Sequence, residues 1–141
     1  MADGRSCAFV DFDGDGWQDI ALMSLNAPRF KLYRNEMGAY SDNGRLRFRL
    51  MGGNSEASKS SEFSNRDAVG AKVLVSFKSG KKVLLQKQFG EGFSSQNSEV
   101  LSIGIPKDDE VSALNVTWPS GKTTQVDSPN VNDIFTINEK E

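Results

Sequence analysis

Four aspartates punctuate the stretch DFDGDGWQDI at 11–20: Asp11, Asp13, Asp15 and Asp19. Like charges this close repel one another unless a cation lies between them. Calcium is a hard cation that takes about six to eight oxygens, mostly from carboxylates and backbone carbonyls. Counting Asp11 as position 1, carboxylates fall at positions 1, 3, 5 and 9, and position 7, Trp17, offers its backbone carbonyl. Gly14 and Gly16 fall between them, where such a chain must curl. The chemistry expected here is cation binding. Ca2+ is the expected ion, because magnesium demands a stricter geometry than a flexible loop supplies. A loop that fills most coordination positions itself leaves little room for substrate, so the role expected for the metal is structural.

The elements that hold this loop decide its type. A helix–loop–helix calcium site carries a bidentate Glu at position 12 and a helix on each side. Position 12 here is Leu22, and the flanks CAFV and DIALMS read as strands. The expected arrangement is therefore a short loop between two strands, closed by Asp19.

Strands dominate the rest of the chain as well. FKLYR comes next, and RLRFRL (45–50) alternates strictly, with Leu46, Phe48 and Leu50 on one face and Arg45, Arg47 and Arg49 on the other. After GGNSEASKSSEFSN (52–65), which reads as a long surface loop or linker, come VGAKVLVSF, KKVLLQKQF, EVLSIGI, VSALNVTW, KTTQV and DIFTINE. Turn signals separate them: SG at 79–80, PKDD at 106–109 and PSG at 119–121. No helical period is convincing. The fold class predicted is all-β: a hairpin around the aspartate loop, which the resemblance given below implies is a partial propeller-blade hairpin, plus an antiparallel β-sandwich or barrel. A hairpin over 6–34 cannot bury both of its faces alone, so it is expected to pack on the second domain or on a neighbouring chain.

Composition removes several functions. The 141 residues include no histidine and a single cysteine, Cys7. Histidine-based triads, His-ligated zinc and an internal disulfide are thereby excluded. Net charge is −2 and the sequence pI is about 5.2. Basic segments at 25–50 (+4) and 65–90 (+5) are offset by acidic ones at 1–24 (−4) and 91–141 (−6). No basic face dominates, and nucleic acid is not an expected partner. No apolar run is long enough to cross a membrane as a helix, and no apolar leader is read at the N-terminus.

Several motifs fail on inspection. PSGKTT (119–124) lacks the glycine a phosphate loop needs, since that position is Val116, and strand rather than helix comes after it. Ser79-Gly80-Lys81-Lys82 matches a serine–lysine pattern but lies in a hairpin turn. Asn115-Val116-Thr117 is a glycosylation sequon read here as plain β-structure. Trp118 is expected to anchor the core; the sharper alternative makes it a sugar-stacking residue of a carbohydrate-binding or enzyme-associated module.

Two resemblances add to this reading. Residues from about Gly4 to Asn35, with their strand–DxDGDGxxD–strand unit and the closing Leu32-Tyr33-Arg34-Asn35, resemble FG-GAP/VCBS repeats, the blades of integrin-type propellers. That resemblance implies calcium ligands at Asp11, Asp13, Asp15 and Asp19 and at the Trp17 carbonyl. The remainder is similar to the ASPIC/UnbV domain of cartilage-acidic-protein-like chains. The matching pieces are Asn65–Val73 (NRDAVGAKV), Gly92–Gln96 (GFSSQ), Val116–Gly121 (VTWPSG) and Ile137-Asn138-Glu139. Departures are Ile103-Gly104-Ile105-Pro106, where the family usually carries Gly-Leu-Gly, and a longer loop at 52–64. The implied organisation is a blade at 1–44 and a β domain at 45–141. The resemblances together imply a non-enzymatic, calcium-binding module of an extracellular or cell-surface protein. Adhesion or recognition of a protein or glycan ligand, with self-association through the incomplete blade, is the expected role.

Overall fold

The computed structural model describes residues 3–140. Ten strands and a single 3-10 turn at Met37–Ala39 make up its regular structure. They divide into two compact units. One runs to Asp42 and takes in Phe89–Glu99; the other holds Asn43–Gln88 and the chain from Val100 onward.

The first unit is a meander of β1 (Gly4–Val10), β2 (Asp19–Ser24) and β3 (Phe30–Tyr33), paired antiparallel in that order. The expected hairpin thus gains a third strand. Apolar side chains lie on both faces and stay part-exposed: Phe9, Ile20 and Tyr33 form one cross-strand row, and Met23 with Phe30 stands on the opposite face. The outer edge of β1 is not left open. The Phe9 amide donates to Asn97 Oδ1 at 2.9 Å, and the Ser98 amide donates to the Phe9 carbonyl at 3.1 Å. An edge strand is thereby covered by a segment some eighty residues on, which removes a template for unwanted pairing.

The second unit contains two sheets. One has the order β10 (Ile134–Asn138), β4 (Gly44–Met51), β7 (Leu101–Ile105). The other runs β6 (Lys82–Gln86), β5 (Lys72–Phe77), β8 (Val111–Thr117), β9 (Thr123–Asp127). Period-two alternation places Leu46, Phe48 and Leu50 of β4 inward, and Val73, Val75 and Phe77 of β5 meet them with Leu114 and Val116 of β8. One apolar core therefore joins the sheets, as in a sandwich, and none of the three sheets closes into a barrel. The fold is all-β, with one departure from the antiparallel expectation: β10 runs parallel to β4, pairing Ile137 with Leu50 and Asn138 with Met51. Alternation dictates which face is buried and is silent on strand direction, so the last strand returns along β4 without breaking the pattern.

Residues 52–65, expected as a loop or linker, are tightly fixed. The Asn54 side chain donates to the carbonyls of Ser60 (2.9 Å) and Phe63 (2.7 Å) and accepts from the Ser60 amide (2.7 Å). A side chain at Gly52 would strike the Asn65 carbonyl, and one at Gly53 would strike the Phe63 ring. Both glycines are thus required by close packing rather than by a turn.

Candidate functional site

The aspartate loop joins Val10 to Asp19, which are themselves paired across β1 and β2. Gly14 and Gly16 adopt φ of 76° and 91°, the left-handed region that L side chains disfavour. These two residues let the chain curl so tightly that one carboxylate oxygen from each of Asp11, Asp13 and Asp15 lies within 4.8 Å of the others. The curl is held by the aspartates themselves. Asp13 Oδ1 accepts from the Asp15 amide (3.2 Å), Asp15 Oδ1 from the Trp17 amide (2.8 Å), and Asp11 Oδ2 from the Gly16 amide (2.9 Å). Each of these bonds uses one lone pair of a carboxylate and leaves others for a cation.

Asp19 is not one of this trio. It is fully buried, and its two oxygens accept from the Phe12 amide (3.1 Å) and the Asn35 amide (2.7 Å). Asn35 also donates through Nδ2 to the Gln18 carbonyl (3.1 Å). A buried carboxylate holding backbone N–H groups from the loop and from the end of β3 ties the loop to the sheet. Trp17 projects a half-buried indole, and Gly38 lies so close beside it that a methyl group there would clash. Arg34 Nε reaches Asp13 Oδ2 at 2.7 Å, so a guanidinium offsets part of the loop's negative charge.

Other sequence candidates resolve as structure. Trp118 is 2% exposed, and its indole N–H donates to Thr124 Oγ1 at 2.8 Å. An indole so enclosed cannot stack on a sugar, which overturns the carbohydrate-module alternative built on Trp118 and leaves the core-anchor reading in its place. Asn115 and Thr117 lie inside β8, paired with Leu74 and Lys72 of β5. Arg66 and Asp67 form an ion pair with each other at 2.8 Å, and this guanidinium holds the Asp67 carboxyl below the ordinary aspartate value.

One polar centre lies outside the sequence expectations. Glu139 is 6% exposed, and its carboxylate accepts from four donors. Oε2 accepts from the Gly53 amide (2.7 Å) and the Ser64 amide (2.8 Å), while Oε1 accepts from the Ser64 hydroxyl (2.8 Å) and the Ser120 hydroxyl (2.5 Å). Burial alone would raise this carboxyl, but the Ser120, Gly53 and Ser64 donors together outweigh it and hold it below the ordinary glutamate value. The signal lies in the alternation: Phe135, Ile137 and Glu139 share one face, and that face points inward. Three motif segments, around Asn65, Trp118–Gly121 and Ile137–Glu139, meet at this carboxylate.

The protein-family model described as ASPIC and UnbV matches residues 42–141. Cartilage acidic protein 1 of Xenopus tropicalis is 31% identical over 142 aligned residues, which cover 96% of this chain. The chain spans about a fifth of the length of that relative.

Proposed function

The chain belongs to the ASPIC and UnbV family, and on that premise we propose that it is a non-enzymatic, calcium-binding module of an extracellular or cell-surface protein, acting in adhesion or recognition. The observation that carries the metal reading is the convergence of Asp11, Asp13 and Asp15 within 4.8 Å. A divalent cation among three carboxylates turns their mutual repulsion into attraction, and hard oxygen donors in a flexible loop suit calcium. Asp19 and the Trp17 carbonyl complete the proposed ligand set, with Asp19 also closing the loop on Phe12 and Asn35. In this reading the first unit is an FG-GAP/VCBS-type calcium-loop blade, and the ion stiffens a loop that would otherwise splay.

The setting is supported by a relative named for cartilage. The recognition role is supported by the part-exposed apolar residues on both faces of the first unit's sheet, since exposed apolar patches mark interaction sites. The partner proposed is a protein or glycan. Thermal unfolding in EDTA and then in millimolar calcium, beside Asp13→Ala, tests the metal reading. A calcium-induced rise that the variant lacks supports it; equal unfolding temperatures in both media would sink it.

A further inference from the structure

The parallel strands β4 and β10 end side by side, Met51 against Asn138, and the chain exits from both strands there. Between the two exits lies a pocket of about 170 Å³, lined by Met51, Gly52, Gly53, Ser55 and residues 138–140. We propose that this pocket binds a small hydroxylated carboxylate of the sugar-acid (uronate) class.

Size sets the first limit. Sites for drug-sized ligands run about 300–1,000 Å³, and liquid water takes about 30 Å³ per molecule, so this pocket has room for about half a dozen waters or one small ligand. Charge sets the second. Lys140 lines the pocket with its ammonium 5.2 Å from the centre of the Phe63 ring, and the Lys122 ammonium lies 3.6 Å from the same centre. Neither ammonium is ion-paired with a carboxylate among the described residues. Glu56, Lys59 and Glu62 of the adjoining loop are exposed to solvent. Among the described residues Glu139 is the one carboxylate in the lining, and four donors from Gly53, Ser64 and Ser120 already occupy its oxygens. It has no lone pair to spare for a ligand.

Hydrogen-bonding capacity sets the third limit. Asn138 and Ser55 are among the lining residues, and neither side chain has a hydrogen-bond partner among the described residues. An amide offers donors and an acceptor together, so its best ligand carries hydroxyls beside its anionic group. An acceptor-only anion would leave the Asn138 carbonyl unused. The thioether of Met51 supplies a soft apolar wall for the C–H face of such a ligand. A carboxylate against Lys140, hydroxyls against Asn138 and Ser55, and carbon against Met51 use every free group of the lining.

The test is an amide-resolved NMR titration of the chain with sodium D-glucuronate, D-glucose, acetate and inorganic phosphate at matched ionic strength. Glucuronate is expected to move the Gly53, Ser55, Asn138 and Lys140 amides with a millimolar dissociation constant. Glucose, which lacks the charge, is expected to bind about tenfold more weakly, and acetate, which lacks the hydroxyls, likewise. Lys140→Gln is expected to cut glucuronate affinity about tenfold and leave the glucose response unchanged, whereas Asn138→Ala weakens both. A short oligouronate that binds more tightly than the monomer would identify the ligand as the end of an acidic glycan, and equal affinity would identify the free sugar acid. The proposal is overturned by any of four results: no shift at these amides with glucuronate, glucose binding as tightly as glucuronate, phosphate matching glucuronate, or Lys140→Gln without effect. Lys140 is exposed, and spectra that superpose away from the pocket establish that each variant is folded.

Discussion

Ser64 grips both oxygens of Glu139: its amide donates to Oε2 and its hydroxyl to Oε1, each at 2.8 Å. Ser120 adds a second hydroxyl, and the Ser120 amide in turn donates to Ser64 Oγ at 3.1 Å. Loop 52–65, the turn after β8 and the end of β10 therefore converge on one buried carboxylate. Glu139→Gln replaces one acceptor oxygen by an NH2 group, which then faces a donor instead of receiving it. Leaving buried donors unmatched costs about 1–3 kcal/mol, and a loss of that size is expected. Urea unfolding of the second unit, monitored by tryptophan emission from Trp118, measures it; an unchanged midpoint would show that the cluster contributes nothing net.

The same carboxylate predicts an acid dependence. Its folded-state value lies below the ordinary 4.5 because its hydrogen bonds outweigh burial. A depressed carboxyl contributes stability that is present above the unfolded value and is lost as pH falls through the folded one. Wild type should therefore lose stability below pH 4.5 more steeply than Glu139→Gln, whose side chain does not titrate. Parallel stability profiles from about pH 6 to about pH 3 would contradict this.

Asp15 and Asp19 should behave differently, because one faces the carboxylate cluster and the other is buried on two backbone amides. Asp19→Ala removes the acceptor for Phe12 and Asn35 and should already cost about 1–3 kcal/mol in EDTA, and in calcium it should lose part of the metal increment as well. Asp15→Asn relieves repulsion, so in EDTA it should be neutral or stabilising. In calcium it should lose most of the increment, which for wild type at a hundredfold excess over the dissociation constant is about 2.7 kcal/mol. Differential scanning calorimetry in the two media separates the cases.

Arg34 supplies a built-in cation to the same loop through its 2.7 Å contact with Asp13. Its side chain is more than half exposed, so the pair is worth less than about 1 kcal/mol. Arg34→Gln should lower stability slightly in EDTA and raise calcium affinity, because the metal no longer competes with a guanidinium. Isothermal titration with calcium gives the sign; weaker binding in the variant would mean that Arg34 helps to shape the site.

The ten strands were legible because each carries its own local signal. Arg-Leu alternation at 45–50 predicts an inward Leu46, Phe48 and Leu50, and the core contains all three. What was not legible depends on partners distant in sequence. Nothing local to DIFTINE says that it runs parallel to β4, and nothing local to Asn97 says that its side chain meets the Phe9 amide. The aspartate loop was half legible. Spacing marks Asp11, Asp13 and Asp15 as a group, but the separate duty of Asp19 depends on where Asn35 lies after β3. Glu139 was missed: period two over Phe135, Ile137 and Glu139 carries a signal for an inward side chain, but its donors, from residues 53, 64 and 120, required the fold.

Trp118 and Trp17 offer a last discrimination, because the chain has two tryptophans and they differ in environment. Trp118 is enclosed in the core with its N–H on Thr124, whereas Trp17 is half-buried beside the aspartates. Trp118→Phe loses that hydrogen bond and leaves a void, so a destabilisation of about 1–3 kcal/mol is expected. Soluble glycans should leave Trp118 emission, read in a Trp17→Phe background, unquenched, since no sugar reaches an enclosed indole. Calcium should instead change the emission of Trp17, read in the Trp118→Phe protein, because the amide of Trp17 is held by Asp15 of the carboxylate trio. Calcium-insensitive Trp17 emission, together with glycan quenching of Trp118, would reverse both assignments.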